Sequence, residues 1–308
     1  MKILSTAVLV LLSSILFTSP AYAQSAACDR SCLTGVIDTW LGALTANATS
    51  AVPLAPGVKI TNNGALVGLE QTFWESAQQI SYRWDIVNQS RGDTATVAVV
   101  QNADSSKTML LVRLRVQNSQ ITEVEVIKAN EGDADNLWDI DTLTSVSPAL
   151  TLLIPEAEQD SHYRLIAAAE SYWRAFQTNG TPAYKRADMM PDVKRIENGW
   201  QTTGMVRDGI LVTANSAFDE GRFQGRNIWD RRYPVVDAER GIVLSIVRFG
   251  MKDGPQDMPA GPRSDRLVAE FFAVKNGNIA EINAVLVNLD DSRPTGWEPD
   301  FGPGRGGR

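Results

Sequence analysis

The residues best suited to acid/base chemistry stand together in one short run, residues 230–233. Alternate side chains of a strand face opposite sides, so Asp230 would share a face with Arg232, and Arg231 with Tyr233. A carboxylate beside a guanidinium is held ionised and oriented, which suits a general base or a group that activates water. Asp230 is therefore a candidate base, Arg232 its partner or an oxyanion stabiliser, and Tyr233 a proton donor. A purely structural ion pair explains the same pattern.

Two further titratable residues are candidates for an acid/base role. Glu197 stands directly before Asn198 and Gly199, where it is either a pocket carboxylate or an exposed turn residue. His162 is the only histidine, and it lies at the start of a predicted helix, where capping or exposure to solvent is the alternative to catalysis. Neither a histidine cluster nor a calcium-loop spacing occurs, so we expect no metal and no cofactor.

Aromatic side chains supply surface for a ring-bearing ligand. Asn198 and Arg231 are the polar residues that we expect to contact such a ligand. Because buried aromatic residues more often belong to a core, we expect about two of the six to line a pocket. The six are Tyr172, Trp173, Trp200, Trp229, Tyr233 and Trp297.

The chain contains a similar unit twice. The first recurring segment matches at five of nine positions, and the order of the three segments is kept. Insertions in the second copy belong in loops. Features that only the second copy has, such as Glu197 and residues 230–233, indicate where function lies. The recurring segments are 56–64 and 191–199, 83–92 and 232–241, and 116–123 and 274–281.

Each copy begins with a helical pattern and ends with strand patterns. Apolar residues recur at helical spacing across 28–47 and again across 165–176. The predicted class is α+β, with two tandem units that each pack a long N-terminal helix on a strongly curved antiparallel sheet. Hairpin turns are predicted at 117–120 and 275–278. Alternating apolar residues predict strands at 94–100, 109–116, 121–127, 242–248, 267–274 and 279–287.

The N-terminal sequence is typical of a secretory signal peptide. Lys2 precedes an apolar stretch, and Ala21 and Ala23 form an A-x-A cleavage site, which predicts a periplasmic or secreted protein. In such a compartment Cys28 and Cys32 are expected to form a local disulfide. The predicted segments are a signal peptide at 1–23, a first domain at 24–130, a linker at 131–160, a second domain at 161–298 and a disordered tail at 299–308; residues 250–264 form an inserted loop.

Charge and hydropathy narrow the range of partners. The net charge of −7 and the lack of long basic runs argue against a nucleic-acid partner. No segment after the leader approaches the roughly 20 apolar residues that span a bilayer, so no membrane anchor is expected. A small apolar or aromatic molecule is the partner that we expect.

Five segments carry a resemblance to a known superfamily: 28–32, 197–199, 230–241, 270–272 and 295–297. With the tandem helix-then-sheet pattern, they resemble the nuclear-transport-factor-two-like cone fold of SnoaL-type cyclases, ketosteroid isomerase and scytalone dehydratase. More closely, the chain resembles a group of secreted microbial proteins with two such units. The resemblance implies two cones with apolar pockets, used for cofactor-free proton transfer, elimination, hydration, cyclisation or binding alone. It also implies an internal pseudo-dimer, and a homo-oligomer is a further option.

These observations predict an exported, cofactor-independent lyase or hydrolase that acts on a small apolar or aromatic molecule. Exported microbial proteins meet plant-derived aromatics before cells do, so cleavage of a C–O bond in a lignin-derived compound is one concrete version. The competing hypothesis is a non-catalytic periplasmic binding or scaffold protein whose first unit is structural. An enzyme of this kind needs a pocket carboxylate with a perturbed pKa, whereas a binding protein does not.

Overall fold

A computed structural model describes residues 28–133, 137–251, 265–289 and 295–297. The expected signal peptide, most of the expected loop at 250–264 and the tail at 299–308 lie outside these residues. Within them, two similar units each contain a long helix, shorter elements and a six-stranded sheet. The predicted α+β class with a tandem repeat is confirmed at this level.

The first unit opens with helix α1, Arg30–Thr45, whose first turn is capped by the Asp29 carboxylate accepting from the Cys32 amide. A disulfide joins Cys28 to Cys32, as predicted. Leu33, Ile37 and Leu44 lie on the buried face of α1, as the helical spacing predicts. The strands are β1 Leu54–Asn62, β2 Ala65–Leu66, β3 Ala77–Asn88, β4 Asp93–Asn102, β5 Lys107–Gln117 and β6 Gln120–Ala129.

The segment between the units contains short helical elements. One is helix α2, Pro148–Thr151, and two are single 3₁₀ turns at Ile140–Thr142 and Glu156–Glu158. The side chains of Ile140 and Leu150 are buried in a core that both sheets share. The predicted linker at 131–160 therefore packs against the folded units along part of its length.

The second unit repeats the plan with additional elements. Helix α3, His162–Thr178, is capped by the Ser161 hydroxyl, which accepts from the Arg164 amide. The remaining elements are β7 Met189–Glu197, β8 Trp200–Thr203, β9 Met205–Arg207, β10 Ile210–Val212, α4 Ala214–Asp219, β11 Arg226–Asp237, β12 Ile242–Met251, β13 Asp265–Lys275 and β14 Asn278–Leu289.

The two sheets have the same strand order. The first runs β2-β1-β6-β5-β4-β3, and the second runs β8-β7-β14-β13-β12-β11; β9 and β10 form a separate hairpin. The prediction of wholly antiparallel sheets is wrong at one pair in each unit, because β1 lies parallel to β6 and β7 parallel to β14. Hairpin connections force neighbouring strands to be antiparallel. No hairpin connects either of these two pairs, so nothing local fixes their direction.

An Asn-Gly turn follows β1 in the first unit and β7 in the second. In both units it forms hydrogen bonds to the neighbouring parallel strand. The Asn63 side chain donates to the Lys128 carbonyl oxygen at 3.1 Å and accepts from the Lys128 amide at 2.9 Å. Asn198 makes the same two bonds to Leu286, at 2.8 and 3.0 Å. Both asparagines have a positive φ, and each is followed by a glycine that also does. Repetition of this turn therefore reflects a structural role.

Each sheet contributes residues to two buried cores, one shared with residues of its helix and one shared with the other sheet. In the first unit, Trp40 and Leu44 of α1 share a core with Val112 and Val126. In the second, α3 shares a core with alternate residues of β13 and β14. The opposite faces of both sheets form one continuous core, in which the Trp84 and Phe271 rings meet edge to face with centroids 4.6 Å apart. No helix in the described ranges is long and apolar enough to cross a membrane.

Candidate functional site

The run at 230–233 does not form the acid/base pair that strand alternation predicts. The register of β11 with β12 shifts between Trp229 and Arg232, and Asp230 has a φ of 51°, so a bulge interrupts the alternation. Arg232 extends toward the first unit, where its two terminal nitrogens donate to the Glu125 carboxylate at 2.7 and 3.1 Å. The pairing of Arg232 with Asp230 as base and partner is therefore not supported. Arg232 forms an ion pair between the units.

The other two residues of the run contact helix α3. Arg231 is ion-paired with Glu170 and also donates to Gln177, and the Tyr233 hydroxyl donates to Glu170. Burial and the Glu170 charge raise the pKa of Tyr233. The Tyr233 phenol therefore stays protonated at neutral pH. The second unit contains a cavity whose lining includes Tyr172, Glu197 and Glu270, here called the second-unit cavity. None of the four residues at 230–233 lines it.

Most of the other candidates also lie away from that cavity. His162 is exposed at the first residue of α3. Asn198 is fully buried, does not line the cavity, and has both amide atoms bonded to the Leu286 backbone. Trp200 is 41% exposed, and the Trp229 ring lies 5.1 Å from the Arg248 guanidinium.

Trp297 packs on the first unit. Its indole nitrogen donates to the Thr61 hydroxyl at 2.8 Å, and its ring lies 4.5 Å from the Arg113 guanidinium. The Lys59 ammonium also lies over this ring, at 4.2 Å. These contacts are those of an inter-unit packing residue, so Trp297 does not serve as a substrate-binding residue of the second-unit cavity.

Three predicted residues do meet in a cavity of about 260 Å³ in the second unit. They are Glu197, Tyr172 and Trp173, so two of the six candidate aromatics line it. An engineered apolar cavity of about 150 Å³ holds benzene, so this volume suits a single substituted ring. The other lining residues are Leu137, Phe176, Arg195, Thr202, Phe223, Arg226, Phe249, Arg266, Val268, Glu270 and Leu286.

Strand register brings two glutamates to the same face of the sheet. Glu270 on β13 is paired with Ala284 on β14, and Ala284 is paired with Glu197 on β7. Residues directly opposite one another in neighbouring strands project to the same side. Arg195 precedes Glu197 by two positions, so it projects to that side as well. Helix α3 covers the group with Tyr172.

The polar side chains of the cavity are connected by hydrogen bonds. Arg195 donates to Glu197 at 2.7 Å, to the Thr202 hydroxyl at 3.1 Å and to the Tyr172 hydroxyl at 3.2 Å. Tyr172 also interacts with Glu270, because its hydroxyl lowers the pKa of that carboxyl. One guanidinium thus orients both the ion-paired glutamate and the phenol that contacts the second glutamate.

The two glutamates differ in their surroundings. Glu270 is 3% exposed, and burial raises the pKa of its carboxyl to about 8, against the opposing effect of Arg195. The charge of Glu197 adds to the increase, whereas the Tyr172 hydroxyl reduces it. Glu197 is held by its salt bridge to Arg195. A neutral carboxyl and an ion-paired carboxylate in one cavity are a pair suited to general acid and general base chemistry.

The first unit lacks these groups at the matching positions. Strands β1, β6 and β5 of the first sheet are aligned with one another in the same register as β7, β14 and β13 of the second. Ile60 and Val112 are buried in the apolar core of the first unit. The first unit therefore has apolar packing at the positions where the second unit has a polar cavity. The counterparts are Ile60 for Arg195, Asn62 for Glu197 and Val112 for Glu270.

Glu270 and Arg195 are the main residues that sequence reasoning missed. Glu270 interrupts the apolar strand at 267–274, at a position where the first copy has Val112. Arg195 stands where the first copy has Ile60. A comparison of the two copies at every strand position, including the differences inside the recurring segments, would have identified both.

A larger groove of about 400 Å³ lies beside the segment that joins the units. Two of its charged residues have structural contacts: Asp160 accepts from the Gly277 amide at 2.8 Å and pairs with Arg164, and Arg240 donates to the Asp85 carbonyl oxygen. The smaller cavity has the better-organised acid/base groups. In the part of the chain that the structure covers, no group of three or more His, Cys, Asp or Glu side chains is placed to hold a metal ion.

Comparison with known proteins found a match, which lies in the second unit. A family model described as a domain of unknown function (DUF8021) matches residues 158–286, which contain α3 and most of the second sheet. No curated protein matches the chain significantly. The matched region includes Tyr172, Arg195, Glu197 and Glu270, so the candidate site lies within the part of the chain that is similar to this family.

Proposed function

We propose that this chain is an exported, cofactor-independent lyase or hydrolase that acts on a small apolar or aromatic molecule in the second-unit cavity. The observation that carries the proposal is the buried Glu270 carboxyl, with a pKa of about 8, beside the Arg195–Glu197 ion pair. A binding protein needs no such carboxyl, whereas general acid catalysis requires one whose pKa lies near the working pH.

Glu270 and Glu197 take complementary roles in the proposed reaction. Glu270 donates its proton to the oxygen that leaves as a C–O bond breaks. Glu197 accepts a proton, either from the neighbouring carbon, so that a C=C bond forms, or from an attacking water, so that a new C–OH bond forms. A proton then returns from Glu197 to Glu270, which restores both groups.

Arg195 and Tyr172 act as positioning residues for this pair. The salt bridge and hydrogen bonds of Arg195 orient Glu197 and the Tyr172 hydroxyl. Burial raises the pKa of Tyr172 well above its ordinary value, so its hydroxyl stays protonated beside Glu270 in the cavity. Phe176, Phe223 and Phe249 supply apolar walls that favour an aromatic ring. Ether cleavage in a lignin-derived compound remains the concrete version of this proposal.

The resemblance to cone-fold proteins supports the same proposal. In that fold a helix closes one side of a curved sheet around a pocket, and the cavity between α3 and the second sheet agrees with such an arrangement. We propose that the two units form an internal pseudo-dimer, with the first as its scaffold. Their shared core is consistent with that division.

The test is a comparison of Glu270→Gln with Glu281→Gln on a panel of aromatic ethers. Glu281 is a buried glutamate of β14 that accepts from the Ser147 hydroxyl, outside the cavity, which makes it a matched control. Loss of a general acid lowers turnover by about 10²- to 10⁴-fold. We expect that loss in Glu270→Gln and near-native turnover in Glu281→Gln.

The same panel separates this proposal from a non-catalytic periplasmic binding or scaffold role. The apolar walls of the cavity suit simple binding as well. If aromatic ligands bind equally to the native protein and to Glu270→Gln, and neither protein converts them, the binding hypothesis replaces the enzymatic one. Equal turnover by the two proteins would show instead that Glu270 is not the acid.

A further inference from the structure

We propose that the natural ligand of the second-unit cavity is a ring-bearing anion whose negative group binds between Arg226 and Arg266. This inference deepens the proposed function, because it names the chemical class of the substrate for the same cavity. The negative group is a carboxylate or a phosphate, which are the two groups that paired guanidiniums bind best.

The two arginines lie at the more exposed end of the cavity. Both are partly exposed, whereas Glu270 is almost fully buried. Arg226 begins β11, and Arg266 is paired with Phe249 on β12. The Arg226 guanidinium lies 5.5 Å from the centre of the Phe249 ring, which also lines the cavity. Arg266 donates to the Asn288 side chain at 3.0 Å, a bond that orients it.

Holding these two cations together has an energetic cost. Burial and the nearby charge of Arg266 both lower the pKa of Arg226. Within the described ranges, Arg226 forms no salt bridge with a carboxylate. An anion placed between the two guanidiniums would relieve this repulsion, since opposite charges in a partly buried site attract strongly.

The net charge of the cavity favours an anion. Its described lining contains three arginines and two glutamates. Because Glu270 has a pKa of about 8, its carboxyl is largely neutral at pH 7, and the lining is then positive overall. The protein as a whole carries a formal charge of −7, so this local excess runs against the general composition.

The first unit again serves as an internal comparison. The paired positions of β3, β4 and β5 correspond to those of β11, β12 and β13 at this end of the sheet. Ala77 stands at the position of Arg226, and Thr108 at that of Arg266. Both first-unit residues are buried. The cationic end is thus confined to the unit that also has Glu270.

Spacing along β13 indicates the size of the ligand. Arg266, Val268 and Glu270 are successive residues of one strand face, so the Cα atoms of Arg266 and Glu270 are about 13 Å apart. A single ring over Val268 would have its negative group near the arginines and its reactive substituent near Glu270. The cavity volume of about 260 Å³ agrees with such a ligand.

The experiment is calorimetric titration of the mature protein with benzoate, phenyl phosphate, benzamide and benzylamine. One hydrogen-bonded charge contact contributes about 1.5–3 kcal/mol, or roughly tenfold to a hundredfold in affinity. We expect benzoate or phenyl phosphate to bind at least that much more tightly than benzamide, and benzylamine to bind worst. The relative affinity of the two anions identifies the negative group.

Variants link this preference to the arginine pair. Arg226→Gln should lose the preference for anions, and Arg226→Lys should retain part of it. Arg222→Gln should keep it in full, because Arg222 is exposed, is paired with Glu220 and does not line the cavity. An unchanged preference in Arg226→Gln, equal binding of benzoate and benzamide, or no binding of either anion would overturn the inference.

Failure of this inference can be told apart from failure of the proposed function. Glu270→Gln is titrated with the same four compounds and assayed for turnover. Anion binding that depends on Arg226, combined with turnover that ignores Glu270, refutes only the acid/base role. Turnover that depends on Glu270 without any preference for anions refutes only the ligand class.

Discussion

The carboxyl group of Glu270 experiences two opposing effects. Burial in an apolar cavity favours its neutral form, while Arg195 and the Tyr172 hydroxyl favour the charged form. Burial dominates, and the negative charge of Glu197 offsets part of the effect of Arg195. The residue is therefore held as a proton donor near neutral pH, at a cost to the stability of the fold.

That cost predicts how stability depends on pH. The pKa of Glu270 is about 8 in the folded chain and near 4.5 when the chain is unfolded, so between these values only the folded state holds the proton. The free energy of unfolding therefore falls as pH rises through this window. Glu270→Gln has no carboxyl at this position, so its free energy of unfolding does not fall in this way. The difference in free energy of unfolding between Glu270→Gln and the native protein should therefore shift in favour of the variant by on the order of 3 kcal/mol from pH 5 to pH 8.

Urea unfolding of both proteins at several pH values measures that difference. Glu281→Gln is a control for the loss of a buried glutamate on the other sheet face. Parallel stability curves for the native protein and Glu270→Gln would contradict the account, because they would mean that Glu270 ionises at the same pH in both states.

Sequence reasoning identified part of this site. Glu197 was found because it replaces Asn62 inside a recurring motif, and Tyr172 and Trp173 because they lie on a helical stripe. Asp230 and Arg232 were misassigned because the bulge that separates them depends on a left-handed backbone at Asp230, which its residue type does not reveal. The partner of Arg232, Glu125, is 107 residues away in the chain.

At the scale of elements, the Asn-Gly turn after β7 connects the sheet to the segment between the units. The Asp139 amide donates to the Asn198 carbonyl oxygen at 3.0 Å, and the Thr142 hydroxyl donates to the Gly199 carbonyl oxygen at 3.1 Å. These contacts fix the path of the chain just after Leu137, which lines the cavity. The turn thus supports the cavity wall.

Gly199 should be far less tolerant of a side chain than a glycine in an open turn. Its φ is 82°, and a Cβ there would lie 2.5 Å from the Asp139 carbonyl oxygen; at Gly209, with a φ of 77°, a Cβ would meet nothing within 4 Å. Gly209→Ala should cost about 1–2 kcal/mol from the left-handed backbone alone. Gly199→Ala should cost about 1–3 kcal/mol more, because rigid backbone must move.

Chemical denaturation of the two variants provides the measurement. Equal destabilisation would show that the close approach of residue 139 to Gly199 does not constrain the fold. Ligand affinity should also fall in Gly199→Ala and stay native in Gly209→Ala, since only the first displaces the chain beside Leu137.

Helices and hairpins were largely predictable from the sequence, whereas the parallel pairing of strands distant in the chain was not. The stripes on α1 and α3 and the turn residues Asn118 and Asn276 are local signals, and the structure has the expected elements there. The parallel pairs β1–β6 and β7–β14 join segments that are distant in the chain. No local pattern specifies their direction.

At the scale of the whole molecule, the two units have the same topology but different interiors. The first has an apolar core around Trp40 and Val112, whereas the second has a charged cavity around Glu270. A shared core and the ion pairs Arg232–Glu125 and Arg30–Asp237 join them. On the proposed function, the first copy supplies a stable interior and the second carries the site.

A crystal structure of the protein with a bound aromatic acid tests that division most directly. We predict that the ring occupies the second-unit cavity, with its negative group against Arg226 and Arg266 and its other end within hydrogen-bonding distance of Glu270. The interior of the first unit should remain unoccupied, because apolar side chains fill it. A ligand bound instead within the first unit, or only in the larger groove beside α2, would contradict the account.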